Sequence, residues 1–313
     1  MVIGGNSRVA IAKRNDDGGF TVNVFGAPTS FDGINRGEFN GDGKLDVVTS
    51  NWQGGTSYTI FLGNGDGTLQ AGRTFAAGGR PVEVETGDLD GDGISDVAAG
   101  LHSEGKLSVA LGRGDGTLAS PSTYTVQSGP THVLFADFNG DGKMDVAVAN
   151  HSSGSISIFL GDGAGGLTFK AHKSAGGTGT YGIEAGDFNR DGNVDIAVSN
   201  AGNSTIGIFD GNGDGTFGNV RTFSSGGNSP NNLGTGDFDH DGIDDIAVIN
   251  RGNNQIAYFE GKGDGTFAAP QTFATQSSPY KVTVGDFNGD GNLDIASANS
   301  GSSSVTVVLN TSQ

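Results

Sequence analysis

One acidic motif, repeated six times at intervals of 49 or 50 residues, constrains this chain more than any other feature. It reads GEFNGDGKLDVVTSN, GDLDGDGISDVAAG, ADFNGDGKMDVAVAN, GDFNRDGNVDIAVSN, GDFDHDGIDDIAVIN and GDFNGDGNLDIASAN, with first acids Glu38, Asp88, Asp137, Asp187, Asp237 and Asp286. A fixed period of this length belongs to chains in which each repeat is one supersecondary unit that buries its apolar face only by stacking on its neighbours.

Each unit reads as four short strands. An alternating stretch such as PVEVETGD, with Val82 and Val84 on one face, precedes the acidic loop, and a dense apolar run such as DVAVAN, Asp145 to Asn150, follows it. A third strand such as SISIFLG places Ile156, Ile158 and Leu160 toward one side. It closes in a glycine-rich turn: GNGDGTL at Gly63, GRGDGTL at Gly112, GDGAGGL at Gly161, GNGDGTF at Gly211 and GKGDGTF at Gly261. A fourth strand, such as RTFAAGG or QTFATQ, leads to the next unit. With 58 glycines in 313 residues, many short strands joined by tight turns are the natural reading.

Four antiparallel strands per unit, repeated around an axis, predict an all-β fold, a β-propeller of four-stranded antiparallel blades. A solenoid coil is shorter, at roughly 20 to 30 residues, and WD-type repeats are disfavoured because Trp52 is the only Trp. The expected organisation is a single domain, 1–313, with units at 1–27 (partial), 28–78, 79–127, 128–177, 178–227, 228–277 and 278–313. The N-terminal SRVAIAKRNDDGGFTVNVFG adds a seventh copy of strand three, turn and strand four, so seven blades with an incomplete first blade are expected. Six blades, closed by the N-terminal strand completing the last one, are the alternative.

Every acidic loop follows D-x-[DN]-x-D-G-x-x-D, with Glu in the first place once. Side-chain oxygens at positions 1, 3, 5 and 9 and a backbone carbonyl at position 7 are a donor set for one hard cation, and Gly at position 6 permits the sharp turn. The expected ligands are Glu38, Asn40, Asp42, Lys44 and Asp46 in loop one, and Asp88, Asp90, Asp92, Ile94 and Asp96 in loop two. They continue as Asp137, Asn139, Asp141, Lys143 and Asp145, then Asp187, Asn189, Asp191, Asn193 and Asp195. The last two sets are Asp237, Asp239, Asp241, Ile243 and Asp245, and Asp286, Asn288, Asp290, Asn292 and Asp294. The seventh-position residues Lys44, Ile94, Lys143, Asn193, Ile243 and Asn292 act through their carbonyls.

A bare hairpin turn gives no reason to keep three or four acids at fixed spacing, since clustered like charges repel. Twenty of the 35 acids occupy these positions, three in four loops and four in the other two. Calcium, up to six ions, suits an all-oxygen set better than zinc or magnesium and would move the formal charge from −18 to about −6. The longer Glu38 predicts the weakest site in loop one.

The combination FNGDGxxD, VAVAN and SISIFLG…GDGT resembles the FG-GAP/VCBS repeat family, related to the integrin α-chain propeller. The resemblance covers nearly the whole chain. It implies calcium in the loop between the first two strands of each blade, and it spans adhesion modules, lectins and domains attached to enzymes.

Alternating strand directions send the acidic loops and GDGT turns to one face and the remaining loops to the other. The repeats agree on the first face and disagree on the second. There the candidate ligand-binding residues are Trp52, Arg80, His102, His132, His151, Tyr181, Arg251 and Tyr280, with Phe31 and Lys281 beside them. Aromatic, basic and amide groups of this kind stack on sugar rings and hydrogen-bond hydroxyls. Phe39, Leu89, Phe138, Phe188, Phe238 and Phe287, each next to a first acid, read instead as packing between blades.

The charge of −18 repels a phosphate backbone, so nucleic acid is not an expected partner. No apolar run has the length of a membrane span, no signal-peptide pattern opens the chain, and there is no cysteine for thiol chemistry. No catalytic residue is assigned, because the acids are committed to the loops and no serine has a His-containing motif beside it. The expected function is a calcium-stabilised extracellular or cell-surface binding module, lectin-like or adhesive, recognising a glycan or protein on the varied face. The alternatives are a polysaccharide lyase or hydrolase on that face and a structural domain of a larger surface protein.

Overall fold

A computed structural model describes residues 2–5, 8–14, 20–27, 31–52 and 55–311. Strands β1 (Val2–Gly5), β2 (Arg8–Arg14) and β3 (Phe20–Gly26) form a three-stranded sheet. The next sheets are four-stranded: β4 (Ile34–Gly37), β5 (Asp46–Asn51), β6 (Ser57–Phe61) and β7 (Arg73–Ala76), then β8 (Pro81–Gly87), β9 (Asp96–Leu101), β10 (Lys106–Ala110) and β11 (Ser122–Thr125). They continue as β12 (Pro130–Ala136), β13 (Asp145–Asn150), β14 (Ser155–Gly161) and β15 (Leu167–Ser174), and as β16 (Thr180–Gly186), β17 (Asp195–Asn200), β18 (Thr205–Phe209) and β19 (Arg221–Ser224). The last complete sheet is β20 (Pro230–Gly236), β21 (Asp245–Asn250), β22 (Gln255–Phe259) and β23 (Gln271–Ala274); β24 (Pro279–Gly285), β25 (Asp294–Asn299) and β26 (Ser304–Val308) end the chain as a three-stranded sheet.

Within every sheet the strands lie in chain order, as the short connections require. The architecture is an all-β propeller of four-stranded antiparallel blades. Counted by an inner strand followed by an acidic loop, there are six blades, opening on β4, β8, β12, β16, β20 and β24. This corrects the expected seven. Among the described residues the N-terminal sheet has no strand of the inner type followed by an acidic loop, so its surplus strands three and four do not amount to a blade of that pattern. The turn between β2 and β3, residues 15–19, lies outside the described residues.

The chain divides into two compact units: Met1–Phe135 with Gly142–Val148 and Ile158–Phe169, and Ala136–Asp141 with Ala149–Ser157 and Lys170–Gln313. In both, the second strand of the blade explains the packing. β5, β9, β17 and β21 are buried at every position, because both faces of the strand are covered. That is why these runs are apolar without alternation.

In the first unit, Phe39, Val48, Tyr58 and Ile60 pack against Val84, Val97 and Ala99 of the next sheet, and Leu89, Leu107 and Val109 against Val133, Val146 and Val148. In the second, Phe188, Ile206 and Ile208 meet Leu233, Ile246 and Val248, and Phe238, Ile249 and Ile256 meet Val282 and Ile295. Phe39, Leu89, Phe188 and Phe238, each beside a first acid, thus fill the space between sheets, contributing about 1.5–3 kcal/mol each by burial. Phe138 is 2% exposed and stands edge-on to Phe217 at 5.4 Å, while Phe287 is half-buried.

The glycine that opens each third-to-fourth turn is needed for space. A Cβ on Gly211 would lie 2.1 Å from the Val194 carbonyl oxygen, and one on Gly63 2.1 Å from that of Leu45. The acidic loop and the turn therefore touch backbone to backbone. Gly211→Ala should lower stability by about 1–3 kcal/mol in urea denaturation, whereas Gly26→Ala, with nothing within 4 Å, should leave it nearly unchanged. Equal midpoints for the two variants would contradict the close-approach argument.

Candidate functional site

Each acidic loop is organised by carboxylates that accept its own backbone N–H groups. In loop two, Asp88 Oδ1 accepts from Gly91 (2.7 Å) and Asp92 (3.1 Å), and its Oδ2 accepts from Gly93 (2.9 Å). Asp92 Oδ1 accepts from Ile94 at 2.8 Å. Loops four, five and six repeat the pattern, with the sixth-position glycines Gly192, Gly242 and Gly291 donating at 3.0 Å to Asp187, Asp237 and Asp286. The N–H groups turn the acids inward. Asp88, Asp90 and Asp96 each bring an oxygen within 4.8 Å of the others, and so do Asp237, Asp239 and Asp241.

Loop one differs where the sequence differs. Glu38 Oε1 accepts from Asn40 (3.2 Å) and Gly41 (2.9 Å), whereas the first aspartates of loops two, four, five and six accept from the fifth- and sixth-position N–H groups. Lys44 Nζ also sits 3.1 Å from Asp42 Oδ2. In the third loop, Asp137 accepts from Gly140 and Asp141 at 2.8 and 3.2 Å.

The ninth-position aspartates have a role that ligand spacing alone did not reveal. Asp46, Asp96, Asp145, Asp195, Asp245 and Asp294 are at most 1% exposed. Asp96 Oδ2 accepts the Leu89 N–H and Oδ1 the Gly112 N–H, both at 2.8 Å, tying the start of the loop to the next turn. Asp46 does the same with Phe39 and Gly63, Asp195 with Phe188 and Gly211, and Asp245 with Phe238 and Gly261. Asp294 takes Phe287 and Asn310.

Burial pushes Asp96, Asp195 and Asp245 up to about 6 from an ordinary 3.8, against the pull of those N–H donors. A raised carboxylate favours the folded state most when protonated, below 3.8, and that contribution is lost as pH rises through about 6. At neutral pH these buried charges therefore weigh against folding, and a positive charge beside them would offset the cost.

Successive loops are also linked. Ser95 N–H donates to Glu38 O at 2.8 Å while Glu38 N–H donates to Ser95 Oγ at 2.9 Å, and Asp187 N–H donates to Asp244 Oδ2 at 2.8 Å. The GDGT turn of the following blade joins in: Gly116 N–H donates to Phe39 O (2.9 Å), and Gly265 N–H to Phe188 O (2.9 Å). Position 4 of the loop is left-handed throughout, being Gly41, Gly91, Gly140 and Gly289 in four loops but Arg190 (φ 60°) and His240 (φ 63°) in the others. The His240 ring holds Asn292 Oδ1 at 3.0 Å, linking loops five and six. Glycine at position 4 in four of six copies was the available signal for this backbone requirement.

At the opposite strand ends, seven of the eight candidate ligand residues gather in two clusters, one in each unit. In the first, the Arg80 guanidinium lies 4.7 Å above the Trp52 ring, and His102 stands edge-on to it at 5.9 Å. Glu104 fixes the segment by accepting the Arg80 N–H at 3.2 Å. In the second, His151 meets Tyr181 at 6.3 Å, Tyr181 meets Tyr280 at 6.0 Å with their hydroxyls hydrogen-bonded, and Arg251 lies 5.6 Å over the Tyr280 ring. Tyr181 and Tyr280 come from the inner strands of blades two apart, β16 and β24. Between them Asn231 of β20 donates to the Tyr280 carbonyl at 3.1 Å.

His132 belongs to neither cluster. It is 2% exposed on β12, with Nε2 3.9 Å from Glu85 Oε2 on β8. Phe31 packs on the Val9, Val47 and Phe61 core.

The FG-GAP-like repeat model matches residues 38–99, 88–148, 137–198, 187–248 and 237–297. The chain belongs to the FG-GAP-like repeat family. Each matched window begins on the first acid of a loop, so the family's repeat is the one built above. No curated protein matches the chain.

Solved structures share the fold. A lectin from Agrocybe aegerita, described as recognising non-reducing terminal N-acetylglucosamine, aligns at 20% identity over 98% of this chain and 89% of its own, with a TM-score of 0.65. A putative 6-phosphogluconolactonase from Bacteroides uniformis aligns at 16% identity over 98% and 90%, TM-score 0.75. A virginiamycin B lyase from Staphylococcus aureus aligns at 14% identity over 98% and 94%, TM-score 0.63. At these identities the likeness concerns the fold.

If the acidic loops bind metal, Glu38→Asp should restore the aspartate pattern in loop one and tighten the weakest step of a calcium titration. An unchanged isotherm would contradict the assignment of the weakest site to loop one.

Proposed function

We propose that this FG-GAP-like repeat protein is a calcium-stabilised extracellular binding propeller that recognises a glycan or a protein through its varied strand ends. The observation that carries the reading is the division of labour among the repeats. Their loops agree on an inward-facing oxygen set, and their opposite strand ends disagree, carrying the touching groups Trp52–Arg80–His102 and His151–Tyr181–Tyr280–Arg251.

The donor set fits calcium. It offers carboxylate and amide oxygens only, with oxygens convergent in loops two and five, around turns that glycines at left-handed φ allow. Bound calcium would supply positive charge beside carboxylates that otherwise repel one another. The residues that would hold it are the side chains at positions 1, 3, 5 and 9 with the carbonyl at position 7, Glu38 replacing Asp in loop one. Such loops fill where calcium is plentiful, which favours an extracellular or cell-surface setting.

For a ligand, the clusters offer flat apolar rings flanked by guanidinium and imidazole donors, a chemistry suited to sugar rings and their hydroxyls. One face of Trp52 is taken by Arg80, so a ligand would use the other face or displace the guanidinium. Turnover is the second reading. It is supported by the Glu85–His132 pair on the inner strands, a carboxylate beside an imidazole.

A glycan array probed in calcium should give discrete hits that Trp52→Ala or Tyr280→Ala removes while the melting temperature is unchanged. Hits indifferent to both substitutions would contradict the placement of the site, and new unsaturated ends on a bound polysaccharide would move the reading to a lyase.

A further inference from the structure

In the second unit, the varied side chains sit on backbone that does not vary. The residue after the second strand of a blade is Ala201, Arg251 or Ser300, and its N–H donates to Gly179 O (3.0 Å), Ser229 O (3.1 Å) or Ser278 O (2.9 Å) in turn. At Arg251 the connection is held twice more, by the Gly252 N–H on Asn228 O at 2.9 Å and by Asn253 Oδ1, which accepts the Asn228 N–H at 2.9 Å. Tyr280 is fixed through its own strand: buried Asn231 donates to its carbonyl at 3.1 Å, and buried Asn232 Oδ1 accepts the Val282 N–H at 3.1 Å. Arg251 and Tyr280 are therefore presented by an ordered frame, which lowers the cost of fixing them in a complex.

The charge around this frame is opposite to that of the chain. Acids outnumber Lys plus Arg by 35 to 17 overall. Yet the connections 151–154, 175–179, 201–204, 225–229, 251–254, 275–278 and 300–303 contain no Asp or Glu, and carry His151 and Arg251, with Lys281 two residues into β24. Glu184, three positions along β16 from Tyr181, lies roughly 10 Å deeper. The acidic loops stand at the other ends of six- and seven-residue strands, roughly 20 Å away, which exceeds two screening lengths of about 8 Å at physiological salt. A short ligand here therefore meets the local positive field rather than the net charge. The Arg251 guanidinium is exposed and pairs with no carboxylate among the described residues, whereas Arg221 is bonded to Asp210 and Lys44 to Asp42.

We propose that the His151–Tyr181–Tyr280–Arg251 cluster selects a sugar that carries a carboxylate. The sugar ring lies against the tyrosine rings, and its carboxylate takes the planar fork of Arg251, whose edge donors match two carboxylate oxygens. This rests on the reading that the varied strand ends bind a glycan, and it adds the class of glycan. The half-buried tyrosines supply area, and the guanidinium, already lying 5.6 Å over the Tyr280 ring, supplies the discrimination between an acidic sugar and its neutral counterpart.

The test uses the full chain in saturating calcium and isothermal titration calorimetry with three matched trisaccharides, ending in glucuronate, in glucose or in 6-sulfated glucose. The glucuronate form should bind about tenfold or more tighter than the glucose form. Arg251→Gln should remove that margin, while Arg113→Gln, which deletes the same charge from the exposed GRGDGTL turn, should keep it. Circular dichroism and an unchanged melting temperature establish that the Arg251→Gln chain is folded. Equal affinity for the glucuronate and glucose forms, both lost in Tyr280→Ala, would overturn the proposal and leave the glycan reading standing. No binding of any of the three up to roughly 10 mM would overturn the proposal and count against the glycan reading as well. A sulfated form that outbinds glucuronate would overturn the carboxylate assignment, and a peptide rich in Asp and Glu that outbinds every sugar would reassign the cluster to a protein partner.

Discussion

A buried carboxylate that accepts two backbone N–H groups is the interaction on which this fold depends. It recurs as Asp46, Asp96, Asp195 and Asp245, each joining the residue after the first acid to the glycine of the following turn. Such charge-assisted bonds contribute about 1.5–3 kcal/mol each, but only if the charge survives burial. The upward push on Asp96, Asp195 and Asp245 shows the opposing cost. The brace explains why an acid stands immediately before the apolar strand: it is the last polar residue able to reach both the loop behind it and the turn beside it.

The outer acids of the loop stand in a different balance. Asp88 and Asp237 draw in backbone N–H groups that partly neutralise them, while bringing their oxygens close to those of Asp90 and Asp239. Hydrogen bonds alone leave that convergence unfavourable, since like charges at such distances repel. On the calcium reading proposed above, a divalent cation would resolve it, and the loop-to-loop bonds from Ser95 to Glu38 and from Asp187 to Asp244 would then pass the gain from one blade to the next.

Much of this was legible in the sequence, because the repeat acts as its own alignment. Strand order, the buried second strand and the packing role of Phe39, Leu89, Phe188 and Phe238 follow from periodicity and apolar density. The blade count did not. Strands β2 and β3 match the pattern of strands three and four, and local pattern cannot say whether such surplus strands count as a seventh blade or belong to six. The bracing role of the ninth aspartate was hidden because a ligand and a brace call for the same residue at the same place. On the varied face, Trp52 lies beside Arg80 and His102, whereas His132 is buried on β12 beside Glu85, contacts that loop position alone does not encode. The contact between Tyr181 and Tyr280, 99 residues apart, depends on tertiary placement that no local pattern encodes.

The account rests on the claim that metal in the acidic loops and the folded propeller are one linked equilibrium. Thermal unfolding followed by far-ultraviolet circular dichroism, at neutral pH in a chelator and across a calcium series, tests it most directly. The account predicts a melting temperature that is lowest in chelator and climbs with calcium concentration, as ligand linkage requires. A melting temperature that is the same in chelator and in saturating calcium would contradict it.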